Sequence, residues 1–137
     1  MKITVCASMT FSPEIVEIAR KLKERGHEID LPKFTEHYST LSSREEMHVE
    51  SAHNKIEHDL IRYYFRLIEK SDAILVVNKT KKGIENYIGA NTLLEMGFAY
   101  VLDKPIYLLN PIPRQDSSDE IIAMRPIVLA GRLELIV

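Results

Sequence analysis

Glu95 is the residue whose surroundings most demand a chemical explanation, because it is the single charged side chain between Asn86 and Tyr100. Helical spacing places Ile88, Asn91, Thr92, Glu95, Ala99 and Leu102 on one face, and Leu93, Leu94, Met96, Phe98 and Val101 cover the remaining surface. A helix that is apolar nearly all round is predicted to be buried. A carboxylate there is costly unless it is paired, hydrogen-bonded or open to a cleft. Two readings follow. One is a salt bridge to Lys79, Lys81 or Lys82; the other is a nucleophile or general acid/base.

Around it stand weaker candidates. Ser8, Thr10 and Ser12, with the first amides of the helix after Ser12, can form a small anion site. The alternative makes Ser12 only a helix cap and Ser8 only a turn residue. Lys79, Lys81 and Lys82 can draw an anion toward the same crevice, or be a solvated loop. Asp72, one residue before an apolar run, reads locally as a turn or cap residue after Ser71. His48, His53 and His58 recur every five residues, so each step turns about 500° and spreads them around a helix. A metal site prefers histidines at i and i+4 on one face. No metal or cofactor is implied.

The elements that would position these groups alternate. Ile3 to Ala7 reads as a buried strand, and Ser12-Pro13-Glu14 as a helix start. That helix is expected to run to Arg25, with Ile15, Ile18, Ala19 and Leu22 inward and Gly26 at its C′ position. A second strand follows at Glu28 to Leu31. Residues 35–70 read as a helical insert, with Ser42 or Ser43 capping a charged helix that reaches about Glu69. Ala73 to Val77 and Pro105 to Leu109 read as central parallel strands. Asp119 to Met124 is a short helix, and Ile127 to Leu129 and Leu133 to Ile136 are candidate last strands. This order predicts an α/β fold with an open, doubly wound, mostly parallel sheet of the flavodoxin or Rossmann type in three layers. Its crevice would gather the loops at 8–12, 78–89 and 110–118.

With 137 residues and 45% apolar side chains, the chain is read as one domain spanning 1–137. Eighteen basic and 20 acidic residues give a net charge of −2, without a basic stripe or tryptophan, which argues against a nucleic-acid binder. A small-molecule partner fits better. The lone Cys6 has no intrachain partner and reads as a buried apolar group in a reducing compartment. The first apolar run is too short for a membrane span. The expected location is the cytoplasm. Neither GxGxxG nor GxxxxGK[ST] occurs, so neither phosphate fingerprint is present.

The segments ITVCASM, SDAILVV, GANTLLEMGFA followed by DKPIYLL, and more weakly EIIAM, resemble in order and spacing the nucleoside 2-deoxyribosyltransferase superfamily, which includes 2′-deoxynucleoside 5′-phosphate N-hydrolases. The resemblance implies that Glu95, in Glu95-Met96-Gly97, attacks an anomeric carbon. It implies that Ser8 meets a 5′-phosphate within the Ser8-Met9-Thr10 loop, that Asp72 lies near the base, and that Met124 packs on the ligand, often across a subunit boundary. Gly89, Asn91 and Thr92, which open the Glu95 helix, join the expected substrate contacts. Three positions depart from the family pattern. A first-strand tyrosine that orients the nucleophile is Thr4 here, with Tyr38, Tyr87 or Tyr100 as possible substitutes. An aspartate or serine is Gly89, and a glycine is Asn91.

The implied reaction is cleavage of an N-glycosidic bond in a nucleoside or nucleoside 5′-monophosphate, by hydrolysis or transfer, in a homodimer or larger homo-oligomer. Asp72, Asn91 or water would help the base depart. The alternatives are cleavage of a nicotinamide dinucleotide or nucleotide sugar, and a nucleotide-binding sensor without catalysis.

Overall fold

A computed structural model describes residues 1 to 32 and 59 to 137 of the chain. Five strands, β1 (Lys2–Cys6), β2 (Glu28–Asp30), β3 (Ala73–Val76), β4 (Ile106–Leu108) and β5 (Ile127–Val128), form one sheet in the order β2-β1-β3-β4-β5. Every pairing is parallel. The order is that of a flavodoxin-like doubly wound sheet, whose ligand crevice opens at the carboxyl ends of β1 and β3, where the winding reverses.

Side chains alternate across the strands and divide the core in two. Ile3, Val5, Ala73, Leu75 and Val77 pack with Ile15 and Leu22 of helix α1 (Ser12–Glu24). On the other face Cys6, Ile74, Val76, Ile106 and Leu108 meet Ile68 of α2 (Leu60–Glu69), Met96 and Ala99 of α3 (Ala90–Val101), and Ile121 of α4 (Ser118–Ala123). This is the expected three-layer arrangement.

Local chemistry explains the boundaries. Helix α1 ends in a Schellman motif: the His27 amide donates to Leu22 O at 3.1 Å and the Gly26 amide to Lys23 O at 3.0 Å. Gly26 has φ +93°, so glycine fits there as expected. Ser12 is not a cap. A 3₁₀ turn over Met9–Phe11 precedes α1, Ser8 caps that turn, and the buried Ser12 hydroxyl donates to Met9 O at 2.6 Å. Leu133–Leu135 is likewise a 3₁₀ turn rather than a strand.

Helix α3 is not buried all round. Leu94 is 48% exposed and Val101 80%, because the sheet and α2 cover only part of its circumference. Among the described residues no helix is long and apolar enough to cross a membrane. The expected insert falls largely outside the described residues, as do Tyr38, Ser42, Ser43 and the three spaced histidines.

Candidate active site

Parallel strands with right-handed crossovers leave α2 and α3 running the same way, with their amino-terminal halves at the carboxyl edge of the sheet. A small, shallow cleft opens there, between Leu60, Ile61 and Tyr64 of α2 and Asn91, Leu94, Glu95 and Phe98 of α3. An edge-to-face contact between Phe65 and Phe98, with ring centroids 5.3 Å apart, holds the two helices together.

Glu95 is 8% exposed, so the sheet side of α3 takes it out of bulk water while the cleft keeps it accessible. Its neighbour on the sheet is Cys6, the last residue of β1. The thiol donates weakly to Thr4 O at 4.0 Å, and burial, followed by the charge and acceptor oxygens of Glu95, pushes the thiol well above its ordinary range.

Two residues beyond Cys6, Ser8 begins a polar cluster. The Thr10 amide donates to Ser8 Oγ at 3.3 Å, Ser8 Oγ donates to Thr10 Oγ1 at 3.2 Å, and Lys81 Nζ donates to Ser8 Oγ at 2.8 Å. The lysine loop is a tight turn rather than a slack one. Lys81 and Ile84 exchange both backbone hydrogen bonds, at 3.1 and 3.0 Å, around Lys82 and Gly83. Both central residues have positive φ, 55° and 72°, a geometry that suits Gly83. Lys82 lies 5.6 Å from the Tyr87 ring centre.

Buried amides tie these loops together. Asn78 Oδ1 accepts the Asn110 amide at 2.9 Å, Asn78 Nδ2 donates to Asn110 O at 3.0 Å, and Asn110 Nδ2 donates back to Asn78 O at 2.8 Å. Gln115 grips the residue before Gly89: Ile88 N donates to Gln115 Oε1 at 3.0 Å and Gln115 Nε2 donates to Ile88 O at 2.8 Å. The start of α3, and hence Glu95 on its second turn, is fixed from both neighbouring loops.

No family model and no curated protein matches the sequence. Solved structures do. A 2-deoxyribosyltransferase from Bacillus psychrosaccharolyticus superposes with a TM-score of 0.53 at 16% identity, over 79% of this chain and 71% of its own. The CMP N-glycosidase BcmB of Clostridium botulinum gives 0.53 at 14% identity, over 98% of this chain and 99% of its own.

The chain has the nucleoside 2-deoxyribosyltransferase fold.

On this deoxyribosyltransferase-like frame the expected residues separate. Glu95 and Asn91 line the cleft. Gly89 is the N-cap of α3, and a Cβ added there would meet only Tyr87 Cε1 at 3.8 Å. Thr92 turns inward and is buried, and Met9 lies in the 3₁₀ turn. Met124 closes α4 and packs on the core beside Ile121 rather than on the cleft wall.

Asp72 stands apart. It precedes the amino end of β3, where its carboxylate accepts the Lys2 amide at 2.7 Å, and a parallel sheet puts that end opposite the crevice. Thr4 is occupied elsewhere too, its hydroxyl 2.6 Å from that of Ser71. Neither Tyr87 nor the exposed Tyr100 lines the cleft. Sequence reasoning missed Cys6 and Tyr64 as companions of Glu95. The strand-end position of Cys6 and the i+4 spacing from Leu60 through Tyr64 to Ile68 were the available signals.

Proposed function

We propose that the cleft breaks the N-glycosidic bond of a nucleoside 5′-monophosphate, with Glu95 as the nucleophile and water as the acceptor. The observation that carries this reading is a nearly buried carboxylate at an open cleft, close enough for its charge to act on Cys6, two residues before the Ser8–Lys81 cluster. Two residues of chain separate Cys6 and Ser8 by about 7 Å at most. That is the scale of the span from an anomeric carbon to a 5′-phosphate.

Glu95 would attack that carbon through an oxocarbenium-like transition state and form a glycosyl ester, which water then hydrolyses, as in retaining glycosidases. Lys81, Ser8 and Thr10 supply donors for the phosphate. Full-length likeness to a CMP N-glycosidase supports cleavage over transfer and makes pyrimidine monophosphates the first substrates to try. A second copy of the chain closing the mouth at Ile61 and Leu94, both about half exposed, belongs to the same proposal. Sedimentation as a monomer at enzyme-assay concentrations would remove it.

The second reading is a nucleotide sensor, favoured by the engagement of Thr4 with Ser71. Glu95→Gln separates the two when monophosphate binding and base release are measured together. The enzyme reading expects binding to persist and release to vanish. A wild type that binds without releasing base supports the sensor.

A further inference from the structure

The reaction above needs a proton at the departing base, and the residue first expected to assist, Asp72, lies at the opposite end of the sheet. Among the described residues, three lining the cleft carry polar side-chain groups: Glu95 and Asn91 on α3, and Tyr64 on α2. An amide is a poor proton donor, whereas a phenol donates readily and is neutral at pH 7 when free. Tyr64 also comes from the wall facing Glu95, so a substrate between the helices meets both.

The position of Tyr64 is fixed by its surroundings. Its ring packs edge to face with Tyr63 at 5.5 Å, and the next residue, Phe65, is locked onto Phe98, one helical turn beyond Glu95. The contact that holds the two helices together therefore also sets the height of the phenol relative to the carboxylate.

We infer that Tyr64 is the catalytic acid that protonates the departing base and the base that then activates water; this rests on the reading of Glu95 as nucleophile. In the first step a Glu95 oxygen bonds to the anomeric carbon, and the carbon–nitrogen bond breaks with its electron pair going to the base. The Tyr64 proton passes to that base, leaving a phenolate. In the second step water attacks the same carbon, the ester bond returns its pair to Glu95, and the water proton returns to Tyr64. The sum is nucleotide plus water giving free base and sugar phosphate, with both side chains restored. Between them the two side chains carry one negative charge at each stage, first on the carboxylate and then on the phenolate. A second carboxylate in place of the phenol would instead face Glu95 with like charge.

The test uses Tyr64→Phe, which keeps the ring and its packing, with its melting curve matched to wild type. Two monophosphates are compared: one with an ordinary base, and one whose base is alkylated and cationic, so that it leaves without needing a proton. First-turnover base release from the ordinary substrate is expected to fall by about 10²-fold or more, the usual size of general acid catalysis. The alkylated substrate should keep its wild-type first-turnover rate, because its base departs without taking a proton from Tyr64. Tyr64→His, which restores a proton carrier, should recover part of the ordinary-base rate. Equal losses on both substrates, or none on either, would overturn the assignment. A wild type that turns over no nucleotide would remove the underlying reading and this one with it.

Discussion

The negative charge of Glu95 acts first on Cys6. Because burial and that charge raise the folded thiol well above 9.0, the native state keeps a proton that the unfolded chain loses above that pH. The associated stability is therefore complete below pH 9.0 and declines as pH rises from there toward the folded value. Across that window the decline is about 1.4 kcal/mol per pH unit. Urea denaturation between pH 8 and 10 should show this extra limb in wild type and not in Cys6→Ala; parallel curves would mean that the folded thiol is not raised by its buried setting. Lys81 makes a prediction of its own. If it holds a 5′-phosphate through a charged hydrogen bond of about 1.5–3 kcal/mol, Lys81→Ala loses roughly 10- to 100-fold in kcat/KM for a monophosphate. The matching nucleoside should be unaffected, and equal losses on both would place Lys81 outside the phosphate site.

At the scale of elements, the site is held by loop-to-loop amides rather than by the strands themselves. Asn78 is almost wholly buried and bridges the ends of β3 and β4. Asn78→Ala should cost about 2–3 kcal/mol, since buried donors and acceptors are left without partners. Chemical denaturation measures this directly, and a change under 0.5 kcal/mol would show that water takes over the bridge. None of these bridges was legible in the sequence, because Asn78 with Asn110, Gln115 with Ile88 and Lys81 with Ser8 join residues far apart in the chain. What could be read was local. The apolar runs of β1, β3 and β4 and the stop at Gly26 follow from periodicity and backbone preference, and their ends shift by only a residue or so. Ser12 misled because its hydroxyl is taken by Met9 O, a 3₁₀ turn the pattern does not announce.

At the scale of the whole molecule, sheet polarity decides which acidic residues can share a site. Glu95 reaches the carboxyl end of β1 through Cys6, while Asp72 faces the amino ends. Asp72→Asn is therefore expected to leave turnover at the wild-type level and to weaken the fold by about 1 kcal/mol through its bond to Lys2. A collapse of kcat with intact folding would contradict this assignment of ends. The same polarity explains why Glu95 was legible and Tyr64 was not. A lone charge in an apolar helix stands out in one dimension, whereas the residue facing it depends on how α2 docks onto α3.

The measurement that bears most directly on the whole account is base release from a panel of ribo- and deoxyribonucleoside monophosphates, the corresponding nucleosides and a nicotinamide dinucleotide, with wild type and Glu95→Ala run in parallel. Free base from a monophosphate, formed by the wild type and absent with Glu95→Ala, is the predicted result. Release that persists in Glu95→Ala, or no release from any substrate by the wild type, would contradict it.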